Sequence, residues 1–325
     1  MTIRKIAVTT TSFAKYAEEP LQLLKAGGFE PVLNPYGRKL TGREVVDICR
    51  DAVGIIAGTE DLGADVLERL FSSSGLRVIS RVGTGLDNVD LKTAERLGIK
   101  VFNTPQWPVL AVSELTVGLV LALLRKIARM DCALKAGKWD KLMGNLLFGR
   151  KAGIVGFGRI GKRVAKMLSA LGAVVAFSDP LDPLDRVDSA DSEDFSRMQL
   201  NELLSWADII TIHVSASKEN PLFIGDDEFR LMKKGACIVN VARGGLLDEG
   251  ALYAALKEGK LSGAALDVFQ EEPYRGNLVE LQNVILTPHI GSYALEARTG
   301  MEMDAVKNLI EGLVDCEKQT DGISR

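Results

Sequence analysis

Two histidines serve a chain of 325 residues, and each stands at the end of an apolar run: His213 closes "DIITIH" and His289 follows "NVILT" in "LTPHIGSY". Imidazole is the side chain that titrates nearest neutrality, so either could pass a proton to and from a substrate. Other polar groups end neighbouring runs. Arg243 follows "ACIVNVA", Asp267 ends "GAALD", and Glu271 and Glu272 precede Pro273. The residue before a proline is held extended, which gives Glu272 a fixed direction. A carboxylate against an imidazole fixes its tautomer and favours its protonated form, while a guanidinium fork grips a 2-oxo or 2-hydroxy carboxylate at two points. The set suits acid–base work on a small hydroxy or oxo acid. No pre-proline acid stands near His213, yet local pattern leaves both histidines as candidates for the proton-transfer role.

A second constellation lies upstream. "GIVGFGRIGKRVA" sets Gly156, Gly158 and Gly161 between an apolar strand and an amphipathic helix. The first glycine permits the tight turn, the second admits a pyrophosphate against the backbone, and the third lets helix pack on strand. The diphosphate would then meet free N–H groups at the positive end of the helix dipole. Arg159, inside the turn, is a candidate pyrophosphate contact. Asp179 closes the next strand about twenty residues on, placed to accept hydrogen bonds from both hydroxyls of an adenine ribose and to repel a 2′-phosphate. The expected cofactor is therefore NAD rather than NADP.

The elements needed to position these groups are legible as an alternation of short β-rich runs and helical patterns, the mark of parallel α/β layers. In the first hundred residues the strands are 5–10, 31–34, 53–58, 76–80 and 100–103, with helices at 41–50, 62–71 and 90–97. "NTPQWP" breaks the pattern, and one long apolar helix is predicted over 111–136. From 151 the alternation resumes: strands end at Gly156, Asp179, His213, Ala242, Phe269 and Thr287, helices cover 159–171, 199–205 and 248–258, and a last helix spans 292–315. The expected fold is α/β with two wound parallel sheets. The acidic segment 179–196 is expected to be a solvated surface loop.

Bulk properties exclude other classes. A formal net charge of −3 and a pI near 5.7, with Lys and Arg scattered, leave no footprint for nucleic acid. Two histidines and four cysteines far apart in sequence (Cys49, Cys132, Cys237, Cys316) predict no metal site and reduced thiols. The N-terminus lacks a signal-peptide core, and the apolar stretch 115–124 is about half a membrane span, so a soluble cytoplasmic protein without membrane contact is expected. A helix so apolar on most sides must be covered, either within its domain or by a second subunit, and a homodimer through 111–137 is the sharper expectation.

The order "RVGTGLDNVD", "NTP…AVSELTVGL", "GIVGFGRIG", "NVARGGLLDEGAL", "AALDVFQEEP" and "LTPHIGS" resembles the D-2-hydroxyacid dehydrogenase family, and within it the catalytic part of the D-3-phosphoglycerate dehydrogenases. The resemblance runs from about residue 50 to 315. It implies a flavodoxin-like substrate domain of 1–103 plus 297–325 and a Rossmann NAD-binding domain of 104–296. It implies Arg243, Glu272 and His289 as the catalytic trio and Asp267 at the nicotinamide end. Cofactor contacts are further expected from Thr84, Ile160, Pro180, His213, Val241, Ala242 and Gly291. Substrate is expected at Arg81, Val82, Gly83 and Thr84, whose backbone N–H groups could form an anion nest, and at Lys141, reaching a neighbouring subunit. Closure of the two domains would exclude water.

Two departures stand out. "AGTED" places Glu60 and Asp61 where phosphoglycerate enzymes of this type tend to carry basic residues. The segment "VSASKEN" after His213 lacks the proline and threonines common in relatives. The family also offers an alternative 2-oxo acid such as hydroxypyruvate or glyoxylate. In another class stand the NAD-sensing corepressors, whose partner-binding extensions are not expected here, nor is a regulatory domain.

Overall fold

The computed structural model describes residues 4–179, 195–214 and 224–323. The chain divides into two compact units, one of residues 1–108 with 292–325 and the other of residues 109–291.

The first unit is built on five parallel strands, β1 (Arg4–Val8), β2 (Phe29–Leu33), β3 (Ala52–Ala57), β4 (Val78–Arg81) and β5 (Lys100–Asn103), in the order β2-β1-β3-β4-β5. This is the flavodoxin-like order, in which ligands sit beyond the carboxyl ends of the strands. Successive side chains on a strand face opposite sides, so adjacent apolar residues feed two cores. Ala7, Ile55 and Ile79 join Val45, Leu67 and Leu70 on one side. Ile6, Val8, Ile56 and Val78 meet Leu24, Met301 and Leu309 on the other. Burial of each large side chain stabilises the unit by about 1.5–3 kcal/mol. The covering helices are α1 (Glu19–Ala26), α2 (Gly42–Ile48), α3 (Ala64–Ser74), α4 (Leu91–Arg96) and a C-terminal helix, Leu295–Ile323.

The second unit carries seven parallel strands: β6 (Lys151–Val155), β7 (Val174–Ser178), β8 (Ser196–Arg197), β9 (Ile209–Ile212), β10 (Ala236–Asn240), β11 (Leu261–Leu266) and β12 (Val284–Leu286). Their order, β12-β11-β10-β9-β6-β7-β8, reverses direction between β6 and β9. That switch point is where a wound sheet opens a ligand crevice. Helices α5 (Pro108–Arg125), α6 (Ile127–Lys135), α7 (Arg159–Ala170), α8 (Leu200–Trp206), α9 (Asp226–Leu231) and α10 (Glu249–Lys257) complete it, and the C-terminal helix is α11.

Several elements differ from the sequence reading. The long helix predicted over 111–136 is two helices, broken at Lys126, whose φ of 55° is left-handed. The break is tertiary in origin: the Leu124 carbonyl accepts from Asn145 N at 2.8 Å, and a Cβ on Gly144 would lie 2.7 Å from the same oxygen. The apolar helix is also longer than the ten-residue run suggested. The 18 residues of α5 have a mean hydropathy of 1.8, long and apolar enough for a membrane span by composition, and half of them are buried inside the protein. Such values suit a core helix equally well. The last helix starts at Leu295 and runs to Ile323, and β8 and α9 were not foreseen.

Candidate active site

The turn after β6 has the shape of a diphosphate cradle. Gly156 has φ +93°, and a Cβ there would lie 2.7 Å from the His213 carbonyl carbon at the end of β9. A Cβ on Gly161 would lie 2.0 Å from the Gly156 carbonyl oxygen. Both positions therefore exclude any side chain. Gly158 caps α7 without a side-chain partner for its first N–H groups, Arg159 and Ile160 open the helix, and N–H donors remain at its positive end for an anion. Asp179 is buried just after β7 and accepts from Phe157 N inside the turn. Strand, glycines, uncapped helix and acid fit a bound dinucleotide. Pro180 lies outside the described residues, as do most of the acidic segment and of "VSASKEN".

The strands β10, β11 and β12 run in register, Asn240 beside Leu266 and Leu266 beside Leu286, so the segments that follow leave one edge of the sheet together. After β10, buried Asn240 clamps the turn that carries Arg243. Its amide donates to the Arg243 carbonyl at 2.9 Å, and its oxygen accepts from Ala242 N at 3.0 Å. Val241 is buried behind this turn, and Arg243 itself donates to the Ala242 carbonyl at 2.7 Å. A Cβ on Gly244 would strike the Phe269 carbonyl, so the arginine turn lies directly against the segment leading to Glu272.

His289 and Glu272 meet. Nδ1 of the imidazole lies 2.9 Å from Glu272 Oε2, and Oε1 of the same carboxylate accepts from Phe269 N at 3.2 Å. The histidine side chain is 48% exposed and the glutamate 38%, so the pair is open to a ligand. His289 has φ +54°, a left-handed conformation that costs a residue of this kind on the order of 1 kcal/mol. What holds it there is Asp267. One carboxylate oxygen accepts from Thr287 Oγ1 at 2.6 Å and Ile290 N at 2.8 Å, and the other from Gly291 N at 2.7 Å. Burial pushes the Asp267 carboxyl up, while these donors and the nearby imidazole pull it down. Asp267 was expected at the nicotinamide end and Gly291 among the cofactor contacts. In the structure both belong to the clamp that shapes the His289 loop.

His213 is a different kind of histidine. Its ring nitrogens are buried, neither has a hydrogen-bond partner among the described residues, and burial pushes its pKa down to about 3. It is neutral at any ordinary pH. It abuts Gly156 through its backbone and stands beside the cradle, away from acid partners.

The first unit contributes a separate polar edge after β4. A Cβ on Gly83 would overlap the Arg81 guanidinium, so that cation lies on the turn that carries Thr84 and Gly85. Val82 is buried and donates its N–H to the Ala57 carbonyl at 2.9 Å. Gly83 N is not available to a ligand, because it donates to Thr104 Oγ1 at 2.8 Å. The nest expected over 82–85 thus narrows to the N–H groups of Thr84 and Gly85 beside Arg81. Lys141 sits exposed on the irregular stretch after α6 and forms no hydrogen bond or ion pair with any of these groups among the described residues. Sequence reasoning missed Asn240 and Thr104. A polar residue at the end of an apolar run was the available signal for each.

Residues 117–291 match the family model described as D-isomer specific 2-hydroxyacid dehydrogenase, NAD binding domain. The chain is 41% identical over 280 residues to a D-3-phosphoglycerate dehydrogenase of Methanocaldococcus jannaschii, covering 84% of this chain and 52% of that protein. It is 38% identical over 265 residues to a hydroxypyruvate reductase of Thermotoga maritima, covering 80% of this chain and 84% of that one. A crystal structure of a Thermus thermophilus protein superposes with a TM-score of 0.85 at 34% identity, over 96% of this chain and 97% of that one. The chain spans about half the length of the phosphoglycerate dehydrogenases it matches.

Proposed function

From the chain's membership of the D-isomer specific 2-hydroxyacid dehydrogenase family, to which it belongs, we propose that it is an NAD-dependent oxidoreductase interconverting a D-2-hydroxy acid and its 2-oxo acid. The observation that carries the reading is the 2.9 Å contact between His289 Nδ1 and Glu272 Oε2 on the sheet edge of the unit that also holds the dinucleotide cradle.

A carboxylate facing Nδ1 requires a proton on that nitrogen, which leaves Nε2 as the atom that exchanges a proton with substrate. His289 Nε2 takes the hydroxyl proton in oxidation and returns it to the oxo group in reduction. Glu272 stabilises the charge that the imidazole carries between those events. Arg243 offers two parallel N–H donors to the carboxylate and the C2 oxygen of the substrate, drawing charge onto that oxygen. The nicotinamide ring, when bound, supplies the hydride acceptor or donor. Arg159 and the α7 N-terminus hold the diphosphate, and Asp179 takes the adenine ribose. Arg81, with Thr84 N and Gly85 N, forms a small anion subsite.

A homodimer is part of the reading. The segment around α6 exposes Ile127, Leu134, Trp139, Met143 and Phe148, with Met143 88% and Trp139 78% exposed. Apolar side chains in one continuous stretch mark a surface that another chain covers. Among the described residues no disulfide joins the four cysteines, which suits a reducing compartment.

The test follows NADH absorbance against a panel of 2-oxo acids, and His289→Ala should lose about 100-fold or more in rate while NADH binding is kept. No turnover of any 2-oxo acid by the parent protein would overturn the proposal.

A further inference from the structure

The loops that carry Arg243 and Glu272 meet along one peptide, the link from Phe269 to Gln270. A Cβ on Gly244 would strike it, so the arginine turn packs flat against it. The two N–H groups here are taken by two different carboxylates. Phe269 N donates to Glu272 Oε1 at 3.2 Å, and Gln270 N donates to Glu249 Oε1 at 2.8 Å. The Gln270 side chain adds a tie on the same side, its Nε2 donating to the Leu247 carbonyl at 3.1 Å. The segment after β11 is therefore bonded to residues 247 and 249, which lead from Arg243 into α10.

Glu249 does more here than a first-turn acid must. It is the first residue of α10, where the helix dipole favours an anion whichever way the side chain turns. The cap itself is already made, since Asp248 accepts from Ala251 N at 2.9 Å. The Glu249 carboxylate reaches instead to a backbone N–H 21 residues away. Gln270 is exposed, and water could have met that N–H at no cost to the fold. What the bond adds is direction. The Phe269 ring stacks on Tyr274 with centroids 4.3 Å apart, and Glu249 holds the N–H that follows, so Phe269 is fixed on both sides. The line along which Phe269 N meets Glu272 Oε1 is fixed with it, and that leaves Oε2 at 2.9 Å from His289 Nδ1.

We propose that Glu249 is a positioning residue for proton transfer: by holding the Gln270 N–H it sets the segment through which Glu272 is aimed at His289. This rests on the dehydrogenase reading above and adds to it a residue that acts through Glu272. The acceptor oxygen carries the role, and the charge of Glu249 does not.

The experiment compares two substitutions in reduction of a 2-oxo acid that the parent turns over, followed by NADH absorbance. Glu249→Ala removes the acceptor. Glu249→Gln keeps an oxygen for Gln270 N and loses the same charge at the start of α10, so any instability from that charge is common to both. Glu249→Ala should lower kcat/KM by about tenfold, short of the roughly 100-fold that a 1 Å misplacement costs. NADH affinity, read by fluorescence, should be unchanged, because the cradle follows β6, three strands along the sheet from β11. Glu249→Gln should stay within about twofold of the parent, as a retained acceptor requires. In a Glu272→Gln background, Glu249→Ala should cost less than about twofold, because residues that act through one another are not additive. Equal loss in the Ala and Gln variants, a loss that persists in full in the Glu272→Gln background, or parental activity of Glu249→Ala would overturn the proposal while leaving the dehydrogenase reading in place. Failure of the parent to turn over any 2-oxo acid would remove both.

Discussion

Replacing Glu272 by glutamine tests the proton-transfer geometry where it is most specific. The carboxylate has two obligations, accepting from Phe269 N through Oε1 and facing His289 Nδ1 through Oε2. Glutamine has one acceptor and one donor. The backbone N–H can only be met by the amide oxygen, so the amide NH2 must turn to the imidazole. Nδ1 then becomes an acceptor, and the ring proton moves to Nε2. That tautomer cannot take a proton from an alcohol. In reduction the donor facing Nδ1 also opposes the imidazolium that must deliver the proton. Both members of the pair are more than a third exposed, so the lost charge–charge attraction amounts to no more than about 1 kcal/mol. The larger loss is the wrong tautomer. Together they should lower kcat/KM by about 100-fold, or roughly 2.7 kcal/mol of barrier. The assay is kcat/KM for reduction, with NADH affinity measured by fluorescence as a control. A variant within about threefold of the parent would refute the assignment of Nε2 as the proton-carrying atom.

Asp267→Asn should weaken both stability and rate: whichever way the amide turns, Ile290 N or Gly291 N loses its acceptor at about 1–3 kcal/mol, less the burial cost the carboxylate no longer carries. A melting temperature lowered by roughly 2–6 °C is the expectation, together with a fall in kcat as His289 leaves its left-handed setting, and an unchanged melting curve would speak against the clamp. Asp179→Ala should weaken NAD by about 10–100-fold and leave NADP little changed, the value of a charged hydrogen bond to a ribose hydroxyl; titration calorimetry showing equal affinity of the parent for both cofactors would contradict it. Burial pushes the Cys237 thiol up to about 12 and the Cys49 thiol higher still, whereas Cys132 is exposed, so a thiol reagent should label Cys132 first in the native protein. Early labelling of Cys237, read by peptide mass, would show that its strand opens.

Much of this architecture was legible because it is written in short-range patterns. Strands buried on both faces read as unbroken runs such as "AVGIIA" and "ACIVN", and the turn after β6 announces itself through glycines that no side chain can replace. Long-range pairing left no such trace. Nothing in "LRKIAR" signals a break, since Lys126 is neither glycine nor proline. The helix ends there because Asn145, distant in sequence, takes the Leu124 carbonyl. The same holds for the narrowed nest: two glycines promised free N–H groups, and Thr104, just past the adjacent strand β5, had already claimed one. Two-residue β8 and six-residue α9 are too short for a periodic signal to rise above their surroundings.

The division of labour between the two histidines follows the same logic. From local sequence they are equals, each closing an apolar run, and what separates them is three-dimensional. His213 spends its backbone on Gly156 and Val155 and its ring on burial, which leaves it neutral and without a proton to trade. His289 has a carboxylate at one nitrogen and a side chain about half-exposed to solvent. That exposure is maintained against backbone strain by three hydrogen bonds to Asp267, a residue that is itself almost fully buried. A rigid acid beneath an exposed loop is how a half-exposed imidazole keeps one orientation without being packed. Asp267 and Glu272 therefore act on the same ring by different means, one setting the backbone that carries it and the other its tautomer. Their substitutions should be separable: Asn at 267 moves stability and rate together, while Gln at 272 moves rate and leaves the melting temperature nearly where it was.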